Sequence, residues 1–196
     1  MDLAGDYDAD VLILALDRVA ETLAAIASAR AQTGVRRRVI VVDQGSRPEN
    51  FSRLSASVAG CADVTLLRTE ENLGVAGGRN FAAAQGRARV IVALDNDAEF
   101  FDAHTLARAV AALEAEPDLA ALGFRIVTHA TGTDDLSSWG YPRALLPHST
   151  ESFDTATFVG AGHAIRRQAW EQVGGYDSRL FFCWEEFDFS LAAIAP

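Results

Sequence analysis

The chain has 196 residues, 49% of them hydrophobic, enough for one sizeable core and too many for a disordered chain. Its formal net charge of −10 excludes a non-specific nucleic-acid binder, which needs a cationic field. Two cysteines far apart, Cys61 and Cys183, exclude a structural zinc site and a disulfide framework.

The first ten residues carry Asp2, Asp6, Asp8 and Asp10, the opposite of a basic signal-peptide opening. No apolar run approaches the roughly 20 residues of a membrane span. A cytoplasmic protein is expected, with peripheral contact at the inner membrane face left open.

Val11 to Leu16 is an apolar run suited to a buried strand, ended by Asp17-Arg18. Val19 to Thr33 predicts a helix, with Leu23, Ile26 and Ala27 at helical spacing and Gly34 closing it. Arg36-Arg37-Arg38 is either a phosphate patch or the solvated start of the strand Val39 to Val42. At that strand's end Asp43 either caps the turn through Gly45-Ser46 or accepts hydrogen bonds from a nucleobase or ribose. Asn50 to Val58 is a short helix, Asp63 to Leu67 a third strand, Ala76 to Gly86 a third helix and Val90 to Leu94 a fourth strand. His104 to Glu116 is helical, with Leu106, Val110 and Leu113 on one face, and Leu119 to Val127 returns as a strand. Thr128 to Ser152 is a long Gly- and Pro-containing loop, a kind usually functional or mobile. Thr155 to Arg166 reads as a strand and Gln168 to Val173 as a short helix ending at Gly174-Gly175. Trp184 to Ile194 is a last helix with Trp184, Phe187 and Leu191 inward.

This alternation predicts an α/β fold: a Rossmann-like, mainly parallel central sheet flanked by helices on both faces. With no internal repeat or linker, residues 1–196 read as a single domain.

Asp95-Asn96-Asp97 follows the fourth strand at once, at the carboxyl end where open α/β sheets bind ligands. Alternation along an extended backbone lets Asp95 and Asp97 point the same way. Two carboxylates there suit Mg²⁺, which takes one or two together with substrate phosphates; the alternative is an acidic turn. The run Asn72 to Asn80 brings Gly74, Gly77 and Gly78 to a helix start, which favours anions. It is neither a P-loop nor a dinucleotide fingerprint, which argues against an ATPase and a dehydrogenase. Arg79 either meets a phosphate or base or forms a surface pair. Gly160 and Gly162 mark a bulge or a backbone approached by a ligand. His163 either orients a hydroxyl or sits in the core. The acids of Trp184-Glu185-Glu186-Phe187-Asp188 are favoured at a helix start by the dipole, or include a general base.

In their order, VVDQGS, NLGVAGGRN, ALDNDAEF, VGAGHAIRR, VGGYD and FFCWEEFDFSL resemble the family 2 glycosyltransferases of the GT-A fold, from about Val11 to Leu191. The resemblance implies inverting transfer of a sugar from a nucleotide diphosphate donor to an acceptor hydroxyl, as in polysaccharide, cell-wall or glycoconjugate synthesis. It implies donor contacts from Asp43, Asn72, Gly74, Arg79, Asp95 and Asp97, with Asp95 and Asp97 on Mn²⁺ or Mg²⁺. It places the base at Glu186 or Glu185, where the family usually has Asp as the second member of the pair. Gly160, Gly162, His163 and Trp184 are the expected acceptor contacts. The expected partners are a UDP- or dTDP-linked sugar and a saccharide or lipid-linked acceptor, with no nucleic acid. Family members usually continue beyond the point matching Pro196, so the acceptor side is expected to be truncated. The alternative is a non-catalytic nucleotide-sugar-binding remnant or a part of a larger assembly.

Overall fold

The computed structural model describes residues 7–194; the acidic positions Asp2 and Asp6 lie outside them. The first half alternates as expected: β1 (Ala9–Ala15), α1 (Val19–Arg30), β2 (Arg37–Asp43), α2 (Pro48–Val58), β3 (Val64–Arg68), α3 (Gly74–Ala83) and β4 (Val90–Leu94). Then come α4 (Thr105–Ala115), β5 (Ala121–Gly123), β6 (Gly162–Arg166), α5 (Arg167–Val173) and α6 (Glu185–Ile194). The six strands form one sheet in the order β3-β2-β1-β4-β6-β5. β1 pairs in parallel with β2 and β4, and β2 with β3, while β6 is antiparallel to β4 and β5.

Side-chain alternation divides the core into two layers. Val11, Ile13, Val39, Val41, Val90 and Val92 face α1, α2 and α4. Leu12, Ile40, Val42, Ile91 and Ile165 face α3, Trp170, Tyr176 and Phe189. All these strand residues are buried, as near-continuous Val/Ile/Leu runs in a sheet covered on both faces must be.

The amino-terminal edge of the sheet is closed by a charge cluster. Asp10 is fully buried, with Arg38 Nη2 at 3.0 Å and Arg167 Nη2 at 2.9 Å. The Ala88 amide donates to the same carboxylate at 2.8 Å. Arg36 pairs with Asp8, and Arg37 donates to the Ala29 carbonyl. The arginine run thus starts β2 at the edge remote from the strands' carboxyl ends, and its phosphate-patch reading is dropped.

Several boundaries shift. α3 begins at Gly74 because Asn72 Oδ1 accepts its amide at 2.9 Å. β5 shrinks to the three residues that find partners on β6, with Ala121 opposite Ile165 and Gly123 opposite His163. β6 begins at Gly162 because its pairing with β4 ends there, opposite Leu94. The 128–152 loop contains a 3₁₀ turn, Arg143–His148, and a T-shaped contact of Trp139 on Tyr141. On α1 the inward face is Val19, Thr22, Ala25, Ile26 and Ala29, with Ala27 exposed.

The largest correction concerns α6. Trp184, Phe187 and Leu191 are exposed, while Glu185, Phe189 and Ser190 are buried. Phe189 packs on Trp170, Tyr176 and Phe158, with ring centroids 5.8, 5.7 and 6.1 Å apart. Glu185 and Phe189, one helical turn apart, therefore set the rotation of the helix.

Candidate active site

Parallel pairing brings the carboxyl ends of β2, β1 and β4 to one edge, in that order. Asp43 ends β2 and is fully buried. Its Oδ1 accepts the Ser46 amide at 3.2 Å and lies 3.5 Å from Arg68 Nε. Its Oδ2 is buried with no hydrogen-bond partner. Arg68 is fixed by donating to the Ser46 carbonyl at 2.7 Å and by stacking 4.3 Å above the Phe51 ring. An unpartnered buried carboxylate oxygen is costly unless a donor from outside meets it.

Asp95 and Asp97 follow β4, as expected. The Asp95 amide donates to the Ala161 carbonyl at 3.2 Å, which ties this turn to the approach of β6. Asn96 turns instead toward α1, with Nδ2 3.3 Å from Thr22 Oγ1. The Asp95 side chain is open on one side and crowded by protein on the other. Burial raises its pKa; Arg79 opposes this, and the negative charges of Asp97 and Glu186 add to it. Asp97 Oδ2 lies 2.7 Å from Arg18 Nη1. Among the described residues no group of three or more His, Cys, Asp or Glu side chains could hold a metal ion. Asp95 and Asp97 offer hard oxygens only, the chemistry that suits Mg²⁺ or Mn²⁺ when phosphate oxygens complete the shell.

Arg79, on α3, is buried in the middle of the site. It pairs with Asp95 Oδ1 at 3.0 Å and Glu185 Oε1 at 3.1 Å, and donates to the Gly160 carbonyl at 2.9 Å. It is therefore a buried pair and not the surface pair considered from sequence. It braces α3, the β4 turn, the 160 backbone and α6 against one another.

The adjacent glutamates differ. Glu185 is 3% exposed and engaged by Arg79, and burial raises its pKa. Glu186 is half-buried, and Oε2 of each glutamate is unpartnered. A Cβ on Gly160 would lie 3.0 Å from Glu186 Oε1, so glycine lets the backbone pass this carboxylate. Two carboxylates, Asp95 and Glu185, share one guanidinium, and the charge of Glu186 acts on both of them. The cleft is net negative on this side.

Four of the expected ligand contacts, Asn72, Gly74, Gly162 and His163, are engaged within the protein, whereas Trp184 is open to solvent. Gly74, at φ 72, and Asn72 form a joint within the chain: the Val75 amide donates to the Phe181 carbonyl at 2.7 Å, so the start of α3 is occupied. A side chain on Gly74 would collide with that carbonyl. A Cβ on Gly162 would lie 3.1 Å from the Phe124 ring, facing the core. His163 is 1% exposed. Its Nδ1 donates to the Val159 carbonyl at 3.1 Å, so Nε2 accepts from the Tyr176 hydroxyl at 2.7 Å. Burial, with Arg79 nearby, holds the imidazole well below its ordinary pKa, hence neutral. Trp184, at φ 75, is 69% exposed beside Phe187. Sequence reasoning missed Arg18 and Arg68, whose one signal is a basic residue at a strand's carboxyl end.

An uncharacterised protein of Haemophilus influenzae is 29% identical over 176 residues, spanning 84% of this chain and 90% of its own. Among solved structures, mannosyltransferase PcManGT from Pyrobaculum calidifontis, in complex with GDP-Man and Mn²⁺, is similar with a TM-score of 0.67. It is 21% identical, over 88% of this chain and 48% of its own. TarS 1–349 of S. aureus, in complex with UDP, is similar with a TM-score of 0.71 at 15% identity, over 95% of this chain and 54% of its own. The chain thus spans about half the length of these two structures, and the likeness establishes the GT-A fold. The family model described as glycosyl transferase family 2 matches residues 10–174, most of the chain, and the chain belongs to that family of glycosyltransferases.

Proposed function

We propose that this domain transfers a sugar from a nucleoside diphosphate donor to an acceptor hydroxyl, with inversion at the anomeric carbon and with help from a divalent cation. The observation that carries the reading is the row of carboxylates at one sheet edge, Asp43 at the end of β2 and Asp95 and Asp97 after β4, with Glu186 of α6 set beside Gly160. Asp43 Oδ2, buried and unpartnered, accepts a nucleobase N–H. UDP and dTDP offer one at the uracil or thymine ring. Asp95 and Asp97 hold Mn²⁺ or Mg²⁺, which when bound neutralises charge on the departing diphosphate. Glu186 takes the proton of the acceptor hydroxyl while its oxygen forms the new bond to the anomeric carbon. The bond from that carbon to the diphosphate oxygen breaks on the opposite face, and no covalent enzyme intermediate is needed.

Glu186 is preferred to Glu185 as base because Arg79 engages the buried Glu185, whereas Glu186 is half-buried beside Gly160; Oε2 is unpartnered in both. Trp184 and the 128–152 loop are assigned to a saccharide or lipid-linked acceptor. Among the described residues no helix is long and apolar enough to cross a membrane.

The test is titration calorimetry of UDP, dTDP and GDP with and without Mn²⁺, followed by assay of UDP release from nucleotide sugars. Metal-dependent binding and release support the transferase. Binding without release, even with added saccharide acceptors, favours a nucleotide-sugar-binding module, a reading to which the arginine pairing of Asp97 and Glu185 lends some weight.

A further inference from the structure

Arg18 follows β1, and β1 lies between β2 and β4 in the sheet. The residue thus stands at the same edge as Asp43 on one side and Asp97 on the other. Its Nη1 lies 2.7 Å from Asp97 Oδ2, and its Nε lies 3.6 Å from Glu21 Oε1. The backbone beneath it is fixed. Asp17 is left-handed at φ 61, and its amide donates to Ser46 Oγ at 2.7 Å. Asp17 Oδ1 accepts the Arg47 amide and Asn50 Nδ2, each at 2.8 Å. The Arg18 carbonyl accepts Thr22 Oγ1 at 2.7 Å. Only the side chain is free to move: those of Arg18 and Asp97 are 52% and 46% exposed.

We propose that Arg18 is a tethered cation at Asp97, which holds this carboxylate in the unliganded protein and releases it when a divalent cation and a nucleoside diphosphate load together. The proposal rests on the assignment of Asp97 to the cation made above. A guanidinium at hydrogen-bond distance neutralises the carboxylate and repels a divalent ion from the same oxygen. A cation arriving alone must break this pair while Arg18 is offered no new anion beyond Glu21. A diphosphate supplies one, and a guanidinium matches phosphate oxygens well. Cation and nucleotide then each strengthen the other's binding by the same factor, as linkage requires. Because the pair is exposed, its worth is modest, and the effect of removing Arg18 is on the order of 1.5- to 5-fold in cation affinity.

The experiment uses the full chain and follows free Mn²⁺ by its electron paramagnetic resonance signal, with and without UDP. The proteins are wild type, Arg18→Met, Asp97→Asn and the double variant. In the absence of UDP, Arg18→Met binds Mn²⁺ about 1.5- to 5-fold tighter than wild type, the range typical of an exposed pair. UDP improves Mn²⁺ affinity less in Arg18→Met than in wild type, and the effect of Arg18→Met disappears in the Asp97→Asn background. Equal or weaker Mn²⁺ binding by Arg18→Met overturns the proposal, as does the same tightening when Asp97 is already Asn. Metal-dependent UDP binding that Asp97→Asn abolishes but Arg18→Met leaves untouched overturns the role of Arg18 alone. A wild type that binds none of UDP, dTDP and GDP overturns the transferase reading, and the Mn²⁺ titration without nucleotide still decides whether Arg18 competes at Asp97.

Discussion

Arg79 and Glu185 form a buried ion pair at 3.1 Å that bridges α3 and α6, and it makes two neighbouring glutamates unequal. Successive residues on a helix point about 100° apart. With Glu185 drawn to Arg79, Glu186 faces Gly160.

Glu186→Gln keeps the shape of the side chain and removes the base. Transfer falls by about 10²–10⁴-fold, the usual contribution of general-base catalysis, while UDP affinity measured by calorimetry changes little. Glu185→Gln acts differently, lowering the urea midpoint because it weakens the pair with Arg79. Normal transfer by Glu186→Gln together with abolished transfer by a well-folded Glu185→Gln would reverse the assignment.

Arg79→Met removes the one guanidinium shared by Asp95, Glu185 and the Gly160 carbonyl. Breaking a buried pair from one side costs about 3–5 kcal/mol because the other charge is left uncompensated. Equilibrium urea unfolding reads this loss. Replacing Arg18, whose pair with Asp97 is exposed, leaves the midpoint near that of wild type.

The rotation of α6 is tested by two truncations on the same helix. Phe189→Ala opens a cavity among Trp170, Tyr176 and Phe158 and destabilises by about 3–5 kcal/mol. Phe187→Ala, on the exposed side, changes stability by about 0.5 kcal/mol or less. Similar losses for both would place Phe187 inward after all.

Asp43→Ala removes the unpartnered acceptor at the end of β2. A hydrogen bond to a charged group is worth about 1.5–3 kcal/mol, so UDP affinity falls by roughly 10-fold or more. Calorimetry with the folded variant checks it, and unchanged UDP affinity removes Asp43 from the donor site.

Below pH 4 stability depends on paired surface acids. Hydrogen bonds from Arg108 hold Asp102 at about 2, and those from Arg179 hold Asp177 at about 2, against an ordinary value of 3.8. A carboxyl depressed in the folded state binds fewer protons there than in the unfolded chain. Its contribution is fully present above 3.8 and disappears as the pH falls through about 2. Asp102 also accepts the His104 amide at 2.8 Å, just before α4. Asp102→Asn therefore lowers the urea midpoint at pH 6, and the difference from wild type closes on acidification toward pH 2. A difference that widens on acidification contradicts this sign.

Much of this fold is written locally. β4 spans the expected Val90–Leu94 because five apolar residues in a row, bounded by charges, admit little else. Asp43, Asp95 and Asp97 are legible because each lies at or just past the carboxyl end of a buried strand, and the carboxyl ends of parallel strands share an edge. What sequence alone misses depends on partners far along the chain. The face of α6 is decided by Glu185 meeting Arg79, 106 residues away, so ranking its residues by hydrophobicity points the wrong side inward. Arg18 finds Asp97 across 79 residues. β5 and β6 are over-extended in sequence because apolar residues packing on the sheet look the same as residues pairing within it.

The buried Asp10 also has a bearing on how the protein is made. Its partner Arg167 lies 157 residues later in the chain. At ribosomal rates of roughly 5–20 residues per second, that arginine is added about 8–30 s after Asp10. Through that interval Arg38, 28 residues on, is the nearer of the two guanidinium groups that pair with Asp10 in the finished sheet. β1 and β2 are therefore free to pair early on the nascent chain, whereas the edge carrying β4 and β6 waits for Arg167. A chain that has reached only the 128–152 loop lacks β6, so one edge of β4 stays unpaired, a template for other strands, until Gly162–Arg166 is added and docks.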